Sequence, residues 1–234
     1  MHTARKVCRY MVSETKVAMG FYYLFLFGVV ALFSILHYTK IATLDNVGGF
    51  GISSAIFLFV TGLTSFRSPF FFLQANGISR FMQFKGTLLA FSGLALFVAI
   101  VDLGTKYLLR VFLPYQTVYM LIYQSDSFLG ELAWKVGWFF LTIVLGWFLS
   151  LLIYRCNKTT RILLGLSPVF LLTLMLVVHN ATGGKATAAF VDFFLWSMGV
   201  PTQNGFLGLA SFAVLSGLGI GGSFLLLRKA PIKS

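Results

Sequence analysis

The 234-residue chain is 58% hydrophobic and only 10% charged, with a mean hydropathy of +0.89, which excludes an ordinary soluble domain, where about a quarter of residues carry charge. Its net charge of +12 does not point to nucleic acid, because the cations gather in short clusters between apolar runs. A polytopic all-α membrane protein remains. A β-barrel would need ten-residue segments of alternating polarity, and none are visible.

Taken in chain order, residues 1–18 place Arg5, Arg9, Ser13 and Lys16 on one helical face and Ala4, Val7, Met11 and Ala18 on the other. This pattern predicts an amphipathic elbow helix lying in the inner leaflet and turning into the first span. The alternative is an ordinary solvated basic tail. Six apolar stretches are long enough to cross about 30 Å of hydrocarbon: 19–37, 48–66, 86–103, 136–154, 162–179 and 205–227. The first follows Arg5, Lys6, Arg9 and Lys16 as a signal peptide would, but no small-x-small site follows Leu36, so it reads as a retained helix.

Two long outer segments contain apolar pieces too short to span. Residues 108–123, with Pro114, Phe112, Tyr115, Tyr119 and Tyr123, suit the outer headgroup boundary. Residues 188–200, broken by Asp192 and closed by Pro201, have the length of a re-entrant segment before the sixth span. The glycines of span six, Gly205, Gly208, Gly217, Gly219, Gly221 and Gly222, predict close helix approach, within the chain or between copies. No soluble domain is visible, so residues 1–234 read as one transmembrane domain.

With the N-terminus inside, the inner segments hold thirteen of the eighteen basic residues: four in the N-terminal tail, Arg67, Arg80 and Lys85, then Arg155, Lys158 and Arg161, and finally Arg228, Lys229 and Lys233. The outer segments hold Lys40, Lys106, Arg110, Lys135 and Lys185. This asymmetry predicts cytoplasmic termini and contact with anionic lipid. Cys8 and Cys156 then both face the cytoplasm and read as free thiols.

Chemistry is sparse. HNATGGKAT (179–187) lacks the first glycine and the closing Ser or Thr of a phosphate-binding loop. His2, His37 and His179 are scattered and have no carboxylate or thiol company for a metal. Asp102 lies four residues before Lys106 on one face, as a snorkelling ion pair would, and no intramembrane acid pair suggests an enzyme or a proton path. FYYLFLF (21–27) offers an apolar, adaptable surface, with Phe21, Tyr22 and Phe25 as candidates to line a path for an amphipathic substrate; helix packing or lipid contact is the other reading.

The segment FFFLQANGISRFMQFKG (70–86) joins spans two and three. Asn76-Gly77 signals a turn, Ser79 suits a helix cap and Arg80 offers charge-assisted hydrogen bonds. Residues 69–85 therefore read as a short helix anchored across the inner face by PFFF, or as a plain inner loop. NGISR followed by Phe81, Phe84 and Gly86 is similar to the coupling-helix region of six-helix permease subunits of ABC exporters. The resemblance extends to the elbow helix, the six spans, the inner termini and the outer re-entrant segment.

The small size and the Phe-rich spans resemble the bacterial peptide-exporter branch of that family, the kind that carries phenol-soluble modulins. The resemblance implies a homodimer of permeases in a bacterial plasma membrane. It also implies a separate ABC ATP-binding subunit that holds ATP and Mg, no cofactor or catalytic residue in this chain, and export of amphipathic or antimicrobial peptides. Gln74, Asn76, Gly77, Ile78, Ser79 and Arg80 would meet the ATPase, with Arg5, Arg9 and Lys16 as a secondary surface. The alternative is a non-transport membrane sensor or an assembly subunit of a larger membrane complex.

Overall fold

The structure is a computed structural model that describes residues 2–39, 48–112, 115–228 and 230. Lys40, Pro114, Lys229, Lys233 and most of residues 38–47, expected to form an outer loop, lie outside the described residues. Its elements are helices: α1 (His2–Tyr38), α2 (Phe50–Thr64), α3 (Arg67–Ala75), α4 (Arg80–Phe112), α5 (Val118–Tyr123), α6 (Phe128–Arg155), α7 (Lys158–Ala181), α8 (Lys185–Ser197) and α9 (Gly205–Arg228). Five of them, α1, α4, α6, α7 and α9, are long and apolar enough to cross a membrane, and α2 with α3, bent by 40°, makes a sixth if the pair is one broken span. The chain is thus a multi-pass membrane protein.

The expected second span, 48–66, is α2 alone, and it breaks before α3. Pro69 has no N–H to offer the carbonyl of Ser65 four residues back, and the Ser65 side chain turns back to donate to Thr61 O at 2.5 Å. The expected inner helix over 69–85 divides as well. Its first part is α3, and its last part is the first two turns of α4.

α1 shows no break at residue 18, where the elbow was expected to turn; it is one helix of 37 residues. Only Gly20 weakens the helix there, and no proline or turn pair interrupts it. The amphipathic pattern itself is real: Ala4, Val7, Met11 and Thr15 are buried while Arg5, Arg9, Ser13 and Lys16 are exposed, although Ala18 is exposed too. The buried face rests on the start of α4, where a side chain at Gly86 would strike Val7.

α6 is the central helix, packed on α2, α4 and α9, with α1 laid along α4. Trp147, Phe139, Ile143 and Val144 of α6 meet Phe91, Leu94, Val98 and the small residues Ala90, Ala95 and Ala99 of α4 in the main core. The α2–α6 crossing is closest of all. A methyl group on Gly62 would land on the carbonyl of Ile143, and one on Gly146 on the carbonyl of Phe59, so only glycine fits either position. By contrast, α7 has no buried residue and meets α8 more than the bundle.

Both described chain ends lie at one end of the bundle. Residues 4–7 touch the start of α4, and Arg228 touches Arg80.

Candidate functional site

At the end that holds both chain ends, residues 66–80 form a tightly built corner. Phe66, Phe70 and Leu73 are buried, and the rings of Phe66, Phe70 and Phe71 surround Tyr154 at the foot of α6, with centroids 5.1, 6.1 and 6.4 Å away. α3 then ends in a Schellman motif: the Ile78 amide donates to Leu73 O at 3.0 Å and the Gly77 amide to Gln74 O at 3.0 Å. Gly77 adopts φ +71°, which a glycine takes without steric cost. The Ser79 hydroxyl accepts from the Met82 amide at 3.4 Å and so caps α4.

The predicted contact residues divide here. Asn76, Gly77 and Ser79 are exposed, whereas Gln74, Ile78 and Arg80 are half-buried and engaged inside the chain. Gln74 Nε2 donates to Ile78 O at 3.1 Å and to the buried Gln83 at 3.2 Å. Arg80 donates to the carbonyl of Arg228 at 2.6 Å, satisfying one of the open carbonyls at the C-terminus of α9. Arg80 is therefore a brace between α4 and α9.

At the opposite end lies a charged cluster that the sequence divides between the end of span three and the segment after it. Six charges alternate in sign across α4, α6 and the short segment before α6 that carries Asp126. Arg110 donates to Asp126 at 2.7 Å, Lys106 meets Asp126 at 2.5 Å and Glu131 at 2.6 Å, and Lys135 meets Glu131 at 2.9 Å and Asp102 at 2.5 Å. The two contacts of Lys135 are ion pairs by distance without hydrogen-bond alignment. The chain runs from the half-exposed Asp126 to Lys106 and Glu131, both fully buried. Hydrogen bonds from Lys106, then Arg110, hold the Asp126 carboxyl below the ordinary aspartate value.

The expected Asp102–Lys106 pair does not form; Asp102 pairs with Lys135 of α6 instead. Nor is 104–135 an outer loop, because α4 runs on to Phe112 and α6 begins at Phe128. With three cations and three anions, the set is neutral and every charge has an opposite partner. Chemically it is a latch that fixes α4 to α6, not an open ion path. Aromatic residues close the same end: Tyr123 donates to Met198 O at 2.7 Å and accepts from Trp134 Nε1 at 3.1 Å. Tyr115, Tyr119 and Tyr123 are thus buried against the bundle.

The proposed lining on α1 is not brought together. Phe21 and Phe25 are 70% and 71% exposed on the outside of the bundle, while Tyr22 stacks on Phe57 at 4.4 Å and shares a hydrogen bond with Ser54 at 2.9 Å. An apolar recess of about 710 Å³ lies instead between α4, α6 and α9 and is lined by Leu96, Leu132, Val136, Phe140, Phe212 and Ser216 among others. The span-six glycines serve mainly as seats within the chain: side chains at Gly205, Gly208 and Gly222 would strike Tyr119, Tyr123 and Phe148. Residues 185–197 form one exposed helix of 13 residues, too short to span. Cys8 and Cys156 are free thiols.

The chain matches no known protein family, no curated protein and no solved structure.

Proposed function

We propose that this chain is the membrane-spanning permease subunit of an ABC exporter, driven by a separate ATPase and moving amphipathic peptides or similar hydrophobic molecules. The observation that carries this reading is the corner at residues 66–80. A short helix is clamped by Phe66, Phe70 and Leu73, closed by a Schellman turn and braced to the end of α9, with Ala75, Asn76, Gly77 and Ser79 presented outward. A rigid, outward-facing knuckle that joins two long helices is what a soluble engine needs in order to push on the bundle, and its NGISR sequence resembles the coupling region of such permeases. In this reading the corner, both chain ends and thirteen of the eighteen basic residues face the cytoplasm.

ATP binding by the partner would select one of two arrangements of paired permeases, which requires that ATP bind the two states with different affinity. Mild-detergent purification of the full chain from its native membrane should bring down an ATP-binding subunit of roughly 25–35 kDa, the size of a single domain. Ala75→Tyr, which alters only the outward face of α3, should weaken that association without lowering thermal stability. Peptides that stimulate ATP hydrolysis by the reconstituted pair would identify the cargo. A chain that purifies without any nucleotide-hydrolysing partner would remove the assignment.

A further inference from the structure

A pocket lies beneath the corner. It has a volume of about 480 Å³ and lies between the start of α3, the foot of α6 and the start of α7. Arg67 and Arg161 form its charged lining, Ser150 supplies a hydroxyl, and Phe71, Tyr154 and the 41%-exposed Ile153 complete the wall. The Arg161 Nε donates to Ile153 O and Cys156 O, each at 3.1 Å, which fixes the guanidinium at the α6–α7 corner and leaves its terminal nitrogens for another acceptor.

Among the described residues neither Arg67 nor Arg161 has an ion-pair partner, and the one acid of α1, Glu14, stands a turn beyond Tyr10, whose ring stacks on Phe72 of α3 at 4.8 Å. Arg155 and Lys158 stand on the same corner, while α2, α3 and α7 contain no acid at all. The only acid on α6 is Glu131, and it is committed to Lys106 and Lys135 some twenty-three residues, or about 35 Å, away. Two guanidiniums from different helices beside an apolar wall match a phosphate joined to a hydrocarbon chain. A free phosphate would leave the wall unused, and a neutral headgroup would leave the cations unpaired.

We infer that this pocket binds the phosphate of an anionic phospholipid, with the acyl chain lying along Phe71 and Ile153. The site does not depend on the transport reading. The test uses the full chain in vesicles of phosphatidylcholine with or without phosphatidylglycerol, and native mass spectrometry counts the lipid retained after delipidation. The native chain should retain phosphatidylglycerol in preference to phosphatidylcholine. Retention should fall about fivefold in Arg67→Gln and about twenty-five-fold when Arg161→Gln is added, at roughly one cation's contribution each.

Lys185→Gln, on α8 away from the pocket, should change nothing. Because Arg161 also holds the α6–α7 corner, Arg67→Gln is the decisive variant, and an unchanged thermal midpoint shows that it is folded. Equal retention by Arg67→Gln, or equal retention of the two lipids, overturns the site. Displacement of the lipid by inorganic phosphate alone overturns its assignment to a lipid. Loss of a co-purifying protein from Arg67→Gln with lipid retention unchanged overturns it in favour of a protein contact.

Discussion

Lys135 on α6 meets Asp102 on α4 at 2.5 Å, with both side chains only 4% exposed. Removing one partner leaves a buried charge in a setting with little water to receive it. Lys135→Met should therefore destabilise the fold by about 3–5 kcal/mol, and adding Asp102→Asn should recover much of that loss. Thermal unfolding in detergent across the double-mutant cycle measures the coupling. Strictly additive effects would mean that the contact is incidental.

Asp126 gives the α4–α6 latch a pH dependence. Lys106 and Arg110 hold its carboxyl below its ordinary value of 3.8, so its stabilising contribution is complete above that value and is lost as pH falls through the lowered folded value. The side chain is 50% exposed, so the effect is modest. Thermal midpoints should decline below about pH 4 in the native chain. Asp126→Asn should start lower and decline less over the same range, and parallel curves would contradict the pairing.

At the α2–α6 crossing, Gly146→Leu or Gly62→Val places side-chain atoms against the opposing backbone, which has no flexible end to yield. Either change should cost about 1–3 kcal/mol or prevent folding. Gly217→Ala on α9, where the added methyl meets open space, should be neutral or mildly stabilising. Detergent-stability assays on the three variants separate a backbone crossing from a general intolerance of change in these helices.

Gly77 and Arg80 act locally on the corner. Gly77→Ala forces a side chain into φ +71° and should cost about 1–2 kcal/mol, seen as faster hydrogen exchange at the Ile78 amide. Arg80→Gln removes the guanidinium that holds Arg228 O and should speed exchange in the last turn of α9. Arg80→Glu would thus disturb the bundle as well as any docked partner, which makes the outward Ala75→Tyr the cleaner probe of ATPase binding.

The sequence was informative where the chemistry is local. Asn76-Gly77 and Ser79 were readable as turn and cap because glycine at positive φ and a hydroxyl before a helix act within a few residues. The apolar runs located the five long helices and the shorter α2, and the spacing of Ala4, Val7 and Met11 marked the buried face of α1.

Reading along the chain failed wherever a partner came from elsewhere in it. Lys106, Arg110, Glu131 and Lys135 look like loop residues in sequence, and Asp102 like the last turn of a span, because a charge in an apolar helix is costly; the ends of α4 and α6 could absorb them only by neutralising one another. Arg80 looked free because its acceptor lies at the far end of the sequence. Hydrophobicity is a property of each residue and survives in any arrangement, so the sequence alone determined a helical, multi-pass chain. Ion pairing, backbone crossings and pockets belong to pairs of helices, and only the tertiary structure decided which surfaces are committed to the bundle and which are left for a ligand or a partner.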